Sequence, residues 1–238
     1  MRIPKIRKYD TSSDFEVREL AELDIPRCWY DLNSKKGKDR FIKAVEKLVR
    51  TSDEYKELIE YLKTNMGMNF CSFFHNVSRD LYGKAKISIE IHHEPFTLYD
   101  ICHIVLLNNM RYTTYGETID MYEIAEEVMK RHYQGWIGLV PLSTTVHELV
   151  HSGKLFIPLQ FIDRGFNKFY EYYEDDIKEI DGMVGMLEAK VRLSKMYATN
   201  RDGFISILKK KFIYVNNEKY NNIPESLESI PELQSENK

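Results

Sequence analysis

The chain has 238 residues, with 34 Lys and Arg against 37 Asp and Glu and a net charge of −3. That length admits one large domain or two small ones, and 43% apolar with 30% charged residues is the make-up of an ordinary globular protein. The mild acidity excludes a whole-molecule field that would draw nucleic acid, so any basic surface has to be local.

Residues 1–36 carry little pattern beyond two basic groups, Lys5 with Arg7 and Lys8, and Lys35 with Lys36, Lys38 and Arg40. A third group, Lys209, Lys210 and Lys211, lies near the other end. Each is either a solvated face or a contact for an anionic partner. From Lys38 the apolar residues Phe41, Ile42, Val45, Leu48 and Val49 recur at helical spacing. Thr51 followed by Glu54 reads as a capping box, and it opens a second helix with Tyr55, Leu58, Ile59 and Leu62 on one face. The two helices form an expected hairpin within an N-terminal helical segment, residues 1–66.

The character then changes to extended. MNFCSFF (68–74) and KAKISIEIHH (84–93) read as strands. The second alternates, with Ile87, Ile89 and Ile91 on one side and Ser88, Glu90 and His92 on the other. TLYDICHIVLLNNM (97–110) and MYEIAEEVMKRHY (121–133) read as helices, and WIGLVPL (136–142) as a short strand. STTVHELVHSG (143–153) is a short helix that Ser143, Thr144 or Thr145 can cap and Gly153 can close.

KLFIPLQFI is extended and FNKFYEYYED helical. The aromatic cluster Phe166, Phe169, Tyr170, Tyr172 and Tyr173 is expected to pack a helix onto a sheet rather than stack on bases. Ile177, Ile180, Val184, Leu187 and Val191 follow a heptad-like spacing, which predicts a longer helix and offers a homodimer seam over 177–191. The C-terminal helical segment is placed at 173–215. Residues 216–238, polar and proline-bearing, are expected to be a disordered tail.

Cys28, Cys71 and Cys102 are widely spaced, odd in number and without a CxxC, which argues against a disulfide framework or a cysteine zinc site. No apolar run approaches the ~18 residues of a membrane span, and MRIPKIRKYD has no signal-peptide apolar stretch. The expectation is a cytoplasmic protein with reduced thiols. His103 reads as a packed core histidine, and His75 and His132 as loop or surface residues.

Two histidine pairs carry the chemistry. His147 and His151 lie four apart on a helix, which stacks both imidazoles on one face, as two ligands of a single ion require. His92 and His93 sit side by side at a strand end, flanked by Glu90 and Glu94. Adjacent strand residues project to opposite sides, so the two imidazoles need not share one environment.

EIHHEP (90–95) resembles the first motif of the HNH endonucleases, in the histidine-rich version of the colicin nuclease domains. GLVPLSTTVHELVHSG (138–153) resembles their second strand, turn and closing helix, and KLFIPLQFI is similar to phage-encoded HNH proteins. The resemblance covers roughly residues 84–160. It implies an α+β chain whose small ββα-metal core, within residues 67–172, is embedded in helical N- and C-terminal additions and interrupted by a helical insertion at about 97–135. It implies one divalent ion (Zn, Ni, Mg or Mn) on His92, His147 and His151, with His93 as general base and Glu90 as an acid that organises the site. The expected activity is hydrolysis of DNA phosphodiester bonds, in the host cytoplasm for a phage-encoded chain.

Two positions depart from that family. Its central Asn, nine residues before the first helix histidine, is Gly138 here, and 54 residues separate His93 from His147, about twice the family's interval. If Gly138 merely lacks the Asn side chain, Gly138→Asn should raise cleavage or leave it unchanged, with Asn108 or Asn109 as substitutes in the insertion. The alternative is a non-catalytic nucleic-acid-binding or phage virion protein on an HNH-like scaffold. A further alternative is a zinc protease, since HELVH (147–151) is also HExxH, with Glu148 as base and Glu171 or Glu174 as a third ligand.

Overall fold

The computed structural model of the protein describes residues 30–78, 88–113 and 119–200. The expectations for residues 84–87, for the terminal basic groups, for Cys28 and for the 216–238 tail lie outside these residues. The chain is α+β, helices with two small two-stranded antiparallel sheets. It divides into two compact units, Met1–Leu58 with Leu98–Lys130, and Ile59–Thr97 with Arg131–Lys238. Most of the expected 97–135 insertion thus belongs to the first unit.

In the first unit, α1 (Lys35–Thr51) starts at Ser34, whose hydroxyl accepts from Gly37 N at 3.0 Å. Phe41, Ile42, Val45 and Val49 form its buried stripe. α2 (Asp53–Thr64) follows after one residue. Its cap is Ser52 and not Thr51: the Ser52 hydroxyl accepts from Tyr55 N at 3.0 Å and is buried with the junction. Thr51 instead turns its hydroxyl back onto the Lys47 carbonyl.

α3 (Leu98–Tyr112) packs on α1, burying Ile101, Cys102, Ile104 and Val105. Tyr99 ties the two helices by donating its hydroxyl to Asp39 Oδ1 at 2.9 Å. Burial and that bond to a carboxylate push the Tyr99 phenol up to about 12. Burial drives the Cys102 thiol well above its ordinary range and His103 below it, although His103, expected as a packed core histidine, is only half-buried. α4 (Met121–Tyr133) matches its expected bounds.

In the second unit, β1 (Phe70–Cys71) pairs antiparallel with β2 (Phe74–Ser78), and β3 (Ile89–His93) pairs antiparallel with β4 (Leu139–Ser143). The register sets His92 opposite Val140 and His93 opposite Leu139. β4 runs directly into α5 (Thr144–His151). Cys71, Phe73, Phe74, Ile89, Val140, Leu142, Val146 and Ile157 form the core beneath this ββα arrangement. Val146, Leu149 and Val150 press α5 onto that core, which leaves the next stripe of the helix, His147 and His151, facing away from it. Burial of Val146 alone contributes about 1.5–3 kcal/mol to holding the helix in this rotation.

Strand β3 does not alternate cleanly. Ile91 is only partly buried, while His92 and His93 are 8% and 5% exposed. Apolar alternation therefore misjudges this strand, because polar partners cover both histidines. Gly153, at φ 68°, closes α5 as expected. Ser143 occupies the cap position but makes no side-chain cap bond.

Beyond α5 come a 3-10 turn at Leu159–Phe161, then α6 (Phe166–Tyr172), α7 (Glu174–Glu179) and α8 (Met183–Thr199). The single long helix expected over 177–191 is broken. Gly182, in the left-handed region at φ 77°, starts α8 afresh. Ile177 and Met183 turn inward, whereas Val184 and Val191 stay exposed, so the heptad seam is not continuous. Of the aromatic cluster, Phe169 and Tyr173 are buried and Tyr172 is exposed; Phe169 packs on Phe96 and Tyr173.

Candidate metal centre

The C-terminal end of β3 and the outer face of α5 bring three imidazoles together. One nitrogen from each of His92, His147 and His151 lies within 4.8 Å of the other two. His147 Nε2 and His151 Nε2 are 3.1 Å apart. Two nitrogens on a tetrahedral ion at ~2.0–2.1 Å stand about 3.3 Å apart, so this pair already has the spacing an ion needs. The His92 ring centroid is 5.2 Å from each of the other two.

The donor set fits a borderline-soft divalent ion such as Zn²⁺ or Ni²⁺. An ion held by these three nitrogens alone would keep a fourth position for water or another ligand. His151 is exposed and His147 half-buried, so solvent and ligands reach that side.

Two carboxylates back the cluster. Glu90, on the same face of β3 as His92, places Oε2 2.9 Å from His147 Nδ1. The contact leaves His147 Nε2 turned toward His151 Nε2, and it is the kind of carboxylate–histidine contact that orients a ring for a metal ion. Glu90, expected as an acid that organises the site, is thus in direct contact with His147. Glu94 is 3% exposed, with Oε2 3.7 Å from His92 Nε2. Its other oxygen is gripped by Lys190 of α8. A buried carboxylate without that ammonium would carry a heavy desolvation cost.

His93 is not part of the cluster. It leaves the strand on the opposite face from His92, and its Nε2 lies 2.9 Å from Nε2 of His132. His132 is 1% exposed, so the expectation of a loop or surface residue fails. Its position in sequence, 39 residues from His93, offered no local signal of the pairing. Next to it, Arg131 is buried, donates to the Tyr173 hydroxyl at 3.0 Å and stacks on Trp136 and Tyr172.

Gly138 is more than an absent side chain. A Cβ there would meet the Glu94 carbonyl oxygen at 2.0 Å and Ile162 Cγ2 at 2.7 Å. The same two strands are joined at this point by Glu94 N donating to the Gly138 carbonyl at 3.0 Å. No residue with a side chain fits this crossing, so the expected benefit of Gly138→Asn is withdrawn. Asn108 lies on α3 in the first unit and Glu148 on the exposed side of α5. Among the described residues, neither Glu171 nor Glu174 joins the cluster; its third imidazole is that of the strand residue His92.

No helix among the described residues is long and apolar enough to cross a membrane. Comparison with curated proteins and with solved structures yields no match. The family described as bacteriophage G278-like virion protein matches residues 13–224, most of the chain, and the protein belongs to that family.

Proposed function

We propose that this virion-family protein holds one divalent transition-metal ion on His92, His147 and His151 and uses it to hydrolyse phosphodiester bonds of DNA. The observation that supports this reading is the three-imidazole cluster, with His151 exposed, at the junction of a paired strand and the short helix that follows its partner strand. A bound divalent ion would neutralise charge on the anionic transition state and the leaving oxygen. Glu90 directs His147, and the Glu94–Lys190 pair backs His92, so the chain's own part is to hold the ligand directions before substrate arrives.

For His93 to take a proton from water through Nε2, that nitrogen must part from His132. The same contact, together with the side-chain-free crossing at Gly138, favours a second reading: the ion ties β3 to α5 in a non-catalytic virion component. One experiment separates the two. The purified full chain is loaded with Zn²⁺, Ni²⁺, Mn²⁺ or Mg²⁺, its metal content measured, and supercoiled plasmid nicking followed. About one ion per chain with nicking that His147→Ala abolishes supports hydrolysis. One ion without nicking under any metal leaves the second reading, and no bound ion in any condition defeats both.

A further inference from the structure

The outer face of α8 shows a pattern that neither the metal centre nor the core explains. Val184, Glu188, Val191, Arg192 and Lys195 of the helix, together with Phe96 and Phe166, line an open groove of about 670 Å³. Val184 and Val191 are 37% and 42% exposed, although aliphatic residues on a packed helix ordinarily turn inward. Met183, Ser194 and Tyr197 do turn inward, so the rotation of α8 is set and the exposed stripe is not a misplaced core face.

Charge on this stripe is ordered. Val184, Glu188, Val191, Arg192 and Lys195 fall along one side of the helix. Glu188, Arg192 and Lys195 have no ion-pair partner among the described residues. Lys190, by contrast, points into its own unit and grips Glu94. Gly185 has open space where a side chain would be, which permits close approach of another backbone.

An acid followed four positions later by a base is complementary to itself under a two-fold axis. We propose that this face is a self-association surface, on which a second copy of the chain lays its α8 antiparallel to the first. In that register Glu188 meets Arg192 of the partner subunit, and the reciprocal pair forms at the other end. Lys195 of the partner subunit lays its aliphatic stem over Val184, and the two Val191 side chains close the centre. Such an isologous contact uses one patch twice, as two-fold dimers do. A nucleic-acid partner is disfavoured on this face because Glu188 and the valines lie in the middle of the stripe, where phosphates would sit.

The test is sedimentation velocity of the full chain over a wide concentration range, on the wild type and on Glu188→Arg, Arg192→Glu, the double exchange, and Val191→Asp. The wild type should dimerise. Each single charge reversal makes two like-charge contacts and should weaken dimerisation about tenfold or more, and the double exchange should return it to within about threefold of wild type. Val191→Asp should give a folded monomer by circular dichroism. A monomeric wild type at every concentration overturns the proposal. So does a dimer that all four variants leave unchanged, or a double exchange no better than the singles. Binding of plasmid DNA that Arg192→Glu removes from a monomeric wild type would assign the face to nucleic acid instead.

Discussion

Gly138→Ala is the smallest change that tests how β3 and β4 cross. Its new methyl would lie 2.0 Å from the Glu94 carbonyl oxygen. A carbon and a carbonyl oxygen settle no closer than about 3.3 Å, so the strands must part by about 1.3 Å or the residue must twist. Overpacking of this kind costs about 1–3 kcal/mol. The bond from Glu94 N to the Gly138 carbonyl, 3.0 Å long, bridges the same point and is stretched by the same movement. Leaving those buried groups poorly paired adds about 1–2 kcal/mol. The sum, about 2–5 kcal/mol, lowers the melting temperature of a chain this size by roughly 5–15 °C. Thermal unfolding followed by circular dichroism reads the shift, and Gly138→Asn should fall at least as far and gain no nicking. A Gly138→Ala melting temperature within about 1 °C of wild type would refute the close approach and reopen the Asn argument.

Zinc at about a hundred times its Kd should stabilise the wild type by about 2.7 kcal/mol, and His92→Ala or His147→Ala should remove that rise; a rise that survives both substitutions refutes the ligand set. Glu90→Gln should keep the ion but weaken zinc affinity about 10–100-fold by isothermal titration, whereas unchanged affinity would reduce the His147–Glu90 contact to a surface pair. His93→Ala should leave metal content intact and, if His93 is the base, cut nicking by about 10²–10⁴; undiminished nicking removes it from the reaction. In the first unit, burial holds His103 below its ordinary pKa. The unfolded chain therefore binds a proton there before the folded one does, and stability falls as pH drops from about 7 through the ordinary histidine range. Urea unfolding at neutral and acid pH should show that loss shrinking in His103→Gln, and an identical pH slope would refute it.

Much of the candidate site was legible in the chain because its parts are local. The i, i+4 spacing of His147 and His151 sets a shared helix face whatever surrounds it, and Gly153, in the left-handed region, ends that helix by turn chemistry alone. The ββα order followed from apolar runs in β3 and β4 that differ in length and spacing from those of the helices. Other features are sums over distant residues, and no local pattern encodes them. His132 is buried against His93 only because α4 ends where β3 passes. Gly138 looked like a missing Asn until the Glu94 carbonyl was placed against it. The helix expected over 177–191 broke at Gly182, since the left-handed turn costs glycine little and lets Ile177 and Met183 both reach the core. Local periodicity determines which face of an element is apolar; only the folded chain decides what covers that face, and whether a histidine there meets solvent, an ion or another histidine.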